Sequence, residues 1–146
     1  MVNNAKLFIS GENTIKVEDA TGSVYAIRVN DGAIFNDSYI KAGDNATTRL
    51  LGSATFNGGF SAAYFETKPG EVSEEAAAGE YTITIEDDTA INASYGFDFK
   101  GNYTISGGKL VLSGGNANGK IWGFVFQSGN FDINSDIEVD GNGATA

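Results

Sequence analysis

The chain contains no cysteine and no histidine, and only one proline, Pro69, among its 146 residues. Without cysteine there is no disulfide, no thiolate metal site and no thiol nucleophile. Without histidine, the usual general base near neutral pH and the commonest metal ligand are both missing. Catalysis would fall to carboxylates, Lys, Tyr, or Ser and Thr lacking an imidazole partner. Positive charge is also scarce: nineteen acids face nine bases, a formal charge of −10. Neither nucleic acid nor an anionic membrane is therefore expected as a partner. No apolar run approaches the ~20 residues of a membrane helix. The opening MVNNAKLFISG has no basic n-region and no long apolar h-region, so no signal peptide is read and a soluble chain is expected.

What is abundant is glycine, at twenty residues, together with seventeen aromatics (ten Phe, six Tyr and one Trp). Glycine, Asn, Asp and Ser separate short runs rich in Ile, Val, Phe, Tyr and Thr, the composition of an all-β domain with many tight turns. In EYTITIED, Tyr81, Ile83 and Ile85 line one face while Thr82, Thr84 and Glu86 line the other. NTIKVED alternates in the same way, with Ile15 and Val17 opposite Lys16 and Glu18. Period two of this kind implies a sheet with one wet side. VYAIRV (24–29) and IWGFVF (121–126) are apolar on both faces, as strands covered by a second layer or by a partner are. Trp122, Phe124 and Phe126 share one face, Ile121 and Val125 take the other, and Gly123 marks a bulge or a close backbone approach.

Further strands are expected at AKLFIS (5–10), DSYIKA (37–42), TTRLLGSATF (47–56), SAAYFET (61–67), YGFDFK (95–100), NYTIS (102–106), KLVLS (109–113), NFDIN (130–134) and DIEVD (136–140). One β domain over 1–146 is expected. It would carry an N-terminal arm (1–8), an acidic loop or short turn (71–80) and a flexible tail (141–146). Charge is uneven along it. Residues 1–73 carry eight acids and six bases, whereas 74–146 carry eleven and three.

GGNANGKI (114–121) is one residue short of the phosphate-loop pattern GxxxxGK[ST]. The strand-forming IWGFVF follows where a helix N-terminus is needed, and Ile121 stands at the magnesium-binding Ser/Thr position. A glycine-rich connection is the better reading. Glu66, Asp98 and Asp132 lie beside aromatics, as sugar-site carboxylates do, and Asp136, Glu138 and Asp140 alternate on one face. Neither set forms an EF-hand pattern or a defined catalytic pair. No catalytic, cofactor or metal residue is assigned, and a non-enzyme is expected.

The segment from ITIEDDTAINAS through GNYTISGGKLVLSGGNANGKIWGFVFQSGNFDINSDIEV resembles the rungs of parallel β-helix and β-roll proteins. Only two SGG units occur, however, and a solenoid needs at least three repeats. A meander, with SGG joining NYTI to KLVL as a hairpin, explains the same residues. The fold class expected is thus an antiparallel sandwich or barrel-like domain with Gly/Asn-rich turns, a β-helix-like C-terminal half being the alternative. In overall character SVYAIRVNDGAIF, GSATFNGGFSAAYFETKPGEV and AAAGEYTITI resemble small bacteriophage virion proteins, namely capsid decoration (cement) or appendage subunits. That resemblance implies a homotrimer on the outer surface of a virion, contacting the major capsid protein or other virion subunits without chemistry. Leu7, Phe8, Ile121, Trp122, Phe124 and Phe126 are the interface candidates. A carbohydrate-binding or adhesive module, and a subunit of an extracellular β-rich filament, remain the rival readings.

Overall fold

Residues 8–15, 24–29, 31–42, 46–114 and 123–140 are described by the computed structural model, and they form eleven strands. These are β1 (Phe8–Ile15), β2 (Val24–Val29), β3 (Ala33–Ala42), β4 (Ala46–Leu50), β5 (Ala54–Phe56), β6 (Phe60–Thr67), β7 (Glu80–Ile85), β8 (Ala90–Lys100), β9 (Asn102–Leu112), β10 (Gly123–Ser128) and β11 (Phe131–Val139). A 3-10 turn (Pro69–Glu71) and a one-turn helix α1 (Glu74–Ala77) fill the excursion between β6 and β7. Ser73 caps α1, its hydroxyl accepting from the Ala76 N–H at 3.0 Å.

Every strand pairing is parallel. A strand's main partner lies two places on in the chain, odd with odd and even with even, in one strongly curled sheet. This overturns the antiparallel sandwich or barrel, and with it the meander. The registers show how the chain winds. Side one stacks segments 8–9, 33–35, 54–56, 80–85, 102–106 and 131–134. Side two stacks 11–15, 38–42, 60–62, 90–93, 109–112 and 136–139. Side three stacks 24–29, 46–50, 64–67, 96–100 and 123–128. The chain thus runs along the three sides in turn and then starts the next rung.

The SGG connection shows why a hairpin does not form. Residues 102–112 are one strand that turns a corner at Gly107 (φ +78°) and Gly108 (φ +38°), moving from side one to side two. A hairpin would fold KLVL back on NYTI. Instead each half bonds to the segment one turn before it, and NYTI lies on β7 while KLVL lies on the start of β8. A Cβ at Gly107 would stand 1.9 Å from the Ile85 carbonyl oxygen, so the corner stacks backbone directly on backbone. TTRLLGSATF, expected as one strand, likewise breaks at Leu51–Ser53 into β4 on side three and β5 on side one. Gly123 has φ +84°, but the irregularity in β10 falls between Phe126 and Ser128.

In a parallel ladder in register, a side chain faces the same way as its partners above and below, so each inward position becomes a column. Ala54, Ile83, Ile105 and Ile133 form one on side one. Phe60, Ile91, Leu110 and Ile137 form one on side two. Phe65, Phe97 and Phe124 form one on side three, the last pair stacked at 4.7 Å and 5°. Each fully buried Phe, Ile or Leu of these columns contributes about 1.5–3 kcal/mol.

Polar groups in the interior are mostly matched. Burial pushes the Tyr103 phenol up, so it stays protonated and donates to the Gly52 carbonyl at 3.0 Å. The fully buried Thr67 hydroxyl accepts from the Lys100 N–H at 2.9 Å and donates to the Lys100 carbonyl at 2.8 Å. Thr48 is fully buried with its hydroxyl unpartnered.

Two substitutions test this packing in urea denaturation. Gly107→Ala, which combines a left-handed φ with a backbone collision, is expected to cost about 2–4 kcal/mol. Thr48→Val removes an unmatched hydroxyl and is expected to be neutral or to stabilise by about 1 kcal/mol.

Candidate interaction site

The outward face of side three carries a column of charge. Arg28, Arg49, Glu66 and Asp98 are successive register partners, so like charges adjoin at both ends of the series. Glu71, carried in by the 3-10 turn, resolves the Arg28–Arg49 conflict by bonding both guanidiniums, while Arg49 also donates to Glu66. Arg49 is only 8% exposed, and a buried guanidinium needs such partners. At the other end, Asp98 accepts from the Gln127 amide at 2.8 and 2.9 Å and lies 3.4 Å from the Lys100 ammonium. Burial acts to raise the Glu71 carboxyl. The Arg28 hydrogen bond and the Arg49, Arg28 and Lys68 charges outweigh it and hold the group below its ordinary value.

Of the three sugar-site carboxylates considered from the sequence, Glu66 and Asp98 are thus brought together, and both are engaged in these pairs. Asp132 lies apart on side one, exposed. Asp136 and Glu138 lie on exposed positions of side two, with Glu138 3.4 Å from Lys109. Among the described residues no cluster of three or more acidic side chains is placed to hold a metal ion. No helix among them is long and apolar enough to cross a membrane. A cleft of about 300 Å³ lies where side three turns into side one, lined by Lys68, Pro69, Gly70, Lys100, Gly101 and Gly129 among others.

The most distinctive surface is the last described rung. Its apolar residues continue the interior columns, and among the described residues no further rung covers them. Phe126 stacks on the fully buried Phe99 at 5.3 Å yet is 41% exposed. Ile137 and Val139 stand on the buried Leu110 and Leu112 and are 49% and 62% exposed. Phe124 and Phe131 are half-buried against the core. Of the sequence-derived interface candidates, Phe124 and Phe126 belong to this surface. Phe8 opens β1 in the first rung, and Leu7, Ile121 and Trp122 lie outside the described residues, as does GGNANGKI beyond Gly114. β10, which holds the last four residues of IWGFVF, pairs only with β8 among the described residues and leaves one edge open. Ile137 and Val139 were missed because DIEVD reads as a charged edge strand. Only their columns reveal them as interior residues without a cover.

No family model, curated protein or solved structure matches this chain.

The charged column has a pH consequence. Because Glu71 is held below 4.5, its contribution is complete above that value and is lost as pH falls through and below it. Thermal melts from pH 7 to pH 3 are expected to show wild type losing stability below about pH 4.5. Glu71→Gln should be less stable at pH 7 and show a flatter acid limb.

Proposed function

We propose that this chain is a structural, non-enzymatic subunit that works through protein–protein contacts at the open end of its coil. The observation that carries this reading is the emergence of interior columns at the surface, in Phe126, Ile137 and Val139. Solenoid ends of this kind are covered by capping segments or by partners, because an uncovered apolar rung promotes association. Exposed apolar area beside an open strand edge suits strand addition and side-chain burial together. The absence of His and Cys from the sequence further favours contact over catalysis. The setting we assign is the outer surface of a virion, the partner being the major capsid protein or another virion subunit. This follows from the chain's resemblance in character to decoration and appendage proteins.

The reading is tested by co-sedimentation with shells of the virus that encodes the chain, alongside a glycan array. Binding to shells is expected to saturate at a fixed stoichiometry. The double substitution Ile137→Lys with Val139→Lys should weaken it at least tenfold, about 1.4 kcal/mol or more. Both side chains are largely exposed, so the melting temperature should move little. Glycan binding without shell binding would instead select the adhesive-module reading.

A further inference from the structure

Around the cleft at the corner between sides three and one, the sign of the charge is locally reversed. Among the described residues its lining holds two ammoniums, Lys68 and Lys100, and no carboxylate, in a chain whose formal charge is −10. Both lysines leave the same face of the sheet. Lys68 stands two residues after Glu66 and Lys100 two after Asp98, and Glu66 and Asp98 are register partners. The two cations therefore project outward one rung apart, about 4.8 Å along the stack. Like charges so placed repel unless an anion lies between them.

The neighbouring carboxylates are committed elsewhere. Glu71 lies 3.8 Å from Lys68 but bonds the Arg28 and Arg49 guanidiniums. Asp98 lies 3.4 Å from Lys100 and also accepts from the Gln127 amide. Glu66 accepts from Arg49. Glu66, Glu71 and Asp98 thus serve Arg28, Arg49, Lys68 and Lys100, and positive charge is left over. Both lysine contacts are longer than a normal N–H···O bond of about 2.7–3.2 Å, so each ammonium keeps donors to offer. Glu74 and Glu75 stand on α1, which contributes only Ala77 to the lining among the described residues.

The shape of the cleft comes from the backbone. The rung that carries Lys68 leaves the ladder at Pro69, whereas the next two rungs turn this corner on glycine, at Gly101 (φ +98°) and Gly129 (φ +117°). Those two corners stack main chain on main chain. The Gly101 N–H donates to the Ser128 carbonyl at 2.7 Å, and a Cβ at Gly129 would stand 1.9 Å from the Gly101 carbonyl oxygen. One wall is therefore bare backbone, and the excursion supplies the other through Pro69, Gly70 and Ala77. Ser128, the register partner of Lys100, also lines the space.

We propose that this cleft binds a small oxyanion, a phosphate or carboxylate group seated between the Lys68 and Lys100 ammoniums. Lysine meets such groups as a point charge with three donors and needs no bidentate fit. Pro69 and Ala77 offer apolar surface to the carbon skeleton of an organic anion. The site is separate from the contact surface at Phe126, Ile137 and Val139, and it goes beyond the structural-subunit reading without depending on it.

Amide shifts followed by NMR at fixed ionic strength test it, with sodium phosphate and sodium glucuronate as probes and sodium chloride as control. Saturable shifts are expected at Gly70, Gly101, Ser128 and Gly129 with phosphate, glucuronate or both, and not with chloride. The probe that binds more tightly identifies the group. Lys68→Gln and Lys100→Gln should each weaken binding about tenfold. Lys109→Gln, on side two, should leave it unchanged, and Lys68→Arg or Lys100→Arg should retain most of it. Both cleft lysines are partly exposed, so the variants should keep the dispersed spectrum of the wild type. No saturation with either probe, or binding that survives both lysine-to-glutamine changes, overturns the proposal. A wild type that binds neither anion yet saturates shells overturns this proposal alone. Loss of shell binding with anion binding intact overturns only the structural-subunit reading.

Discussion

Hydrogen bonding between rungs, in parallel and in register, is the constraint on which the rest of this structure depends. Successive rungs lie about 4.8 Å apart, so what stands at one position meets the residue one turn earlier and one turn later. Apolar positions must therefore line up into columns, as Phe65, Phe97 and Phe124 do. Glycine is required where backbone stacks on backbone at a corner, as at Gly107 over Ile85. Charges must line up too, which makes the adjacency of Arg28 and Arg49 a problem for the fold to solve.

Glu71 is the solution, and it shows how an irregular element serves a regular one. The excursion after β6 leaves the ladder, forms a 3-10 turn at the only proline, and returns a carboxylate to two guanidiniums. The same excursion supplies α1, whose Ala76 carbonyl accepts from the Tyr81 hydroxyl at 2.7 Å. It is thus tied to the outside of the coil at both ends.

Stacking also creates the surface on which the functional reading rests. A repeating coil has no intrinsic end, and each rung is covered only by the next one. Where stacking stops, interior residues face outward with no change in their chemistry. Leu110 is fully buried and Ile137, its neighbour in the column, is half exposed solely because of position in the stack. Among the described residues the three sides do not stop level, because side three ends at β10 while sides one and two continue through β11.

Much of the local structure was legible in the sequence. VYAIRV forms β2 residue for residue, EYTITI forms β7, and YGFDFK lies within β8, because strand propensity and period-two alternation act within a few residues. The sequence by itself thus determined that the chain is built of short strands and which residues turn inward on sides such as β7. Only the tertiary structure decided that they pair in parallel, because alternation is identical in parallel and antiparallel ladders. It also decided that SGG is a corner, since that depends on contact with Ile85 a full turn away. Arg28 and Glu71, 43 residues apart, meet for the same reason. The candidate site was the least legible part. Phe124 and Phe126 announced themselves by size, but Ile137 and Val139 became part of it only through their place on the last described rung.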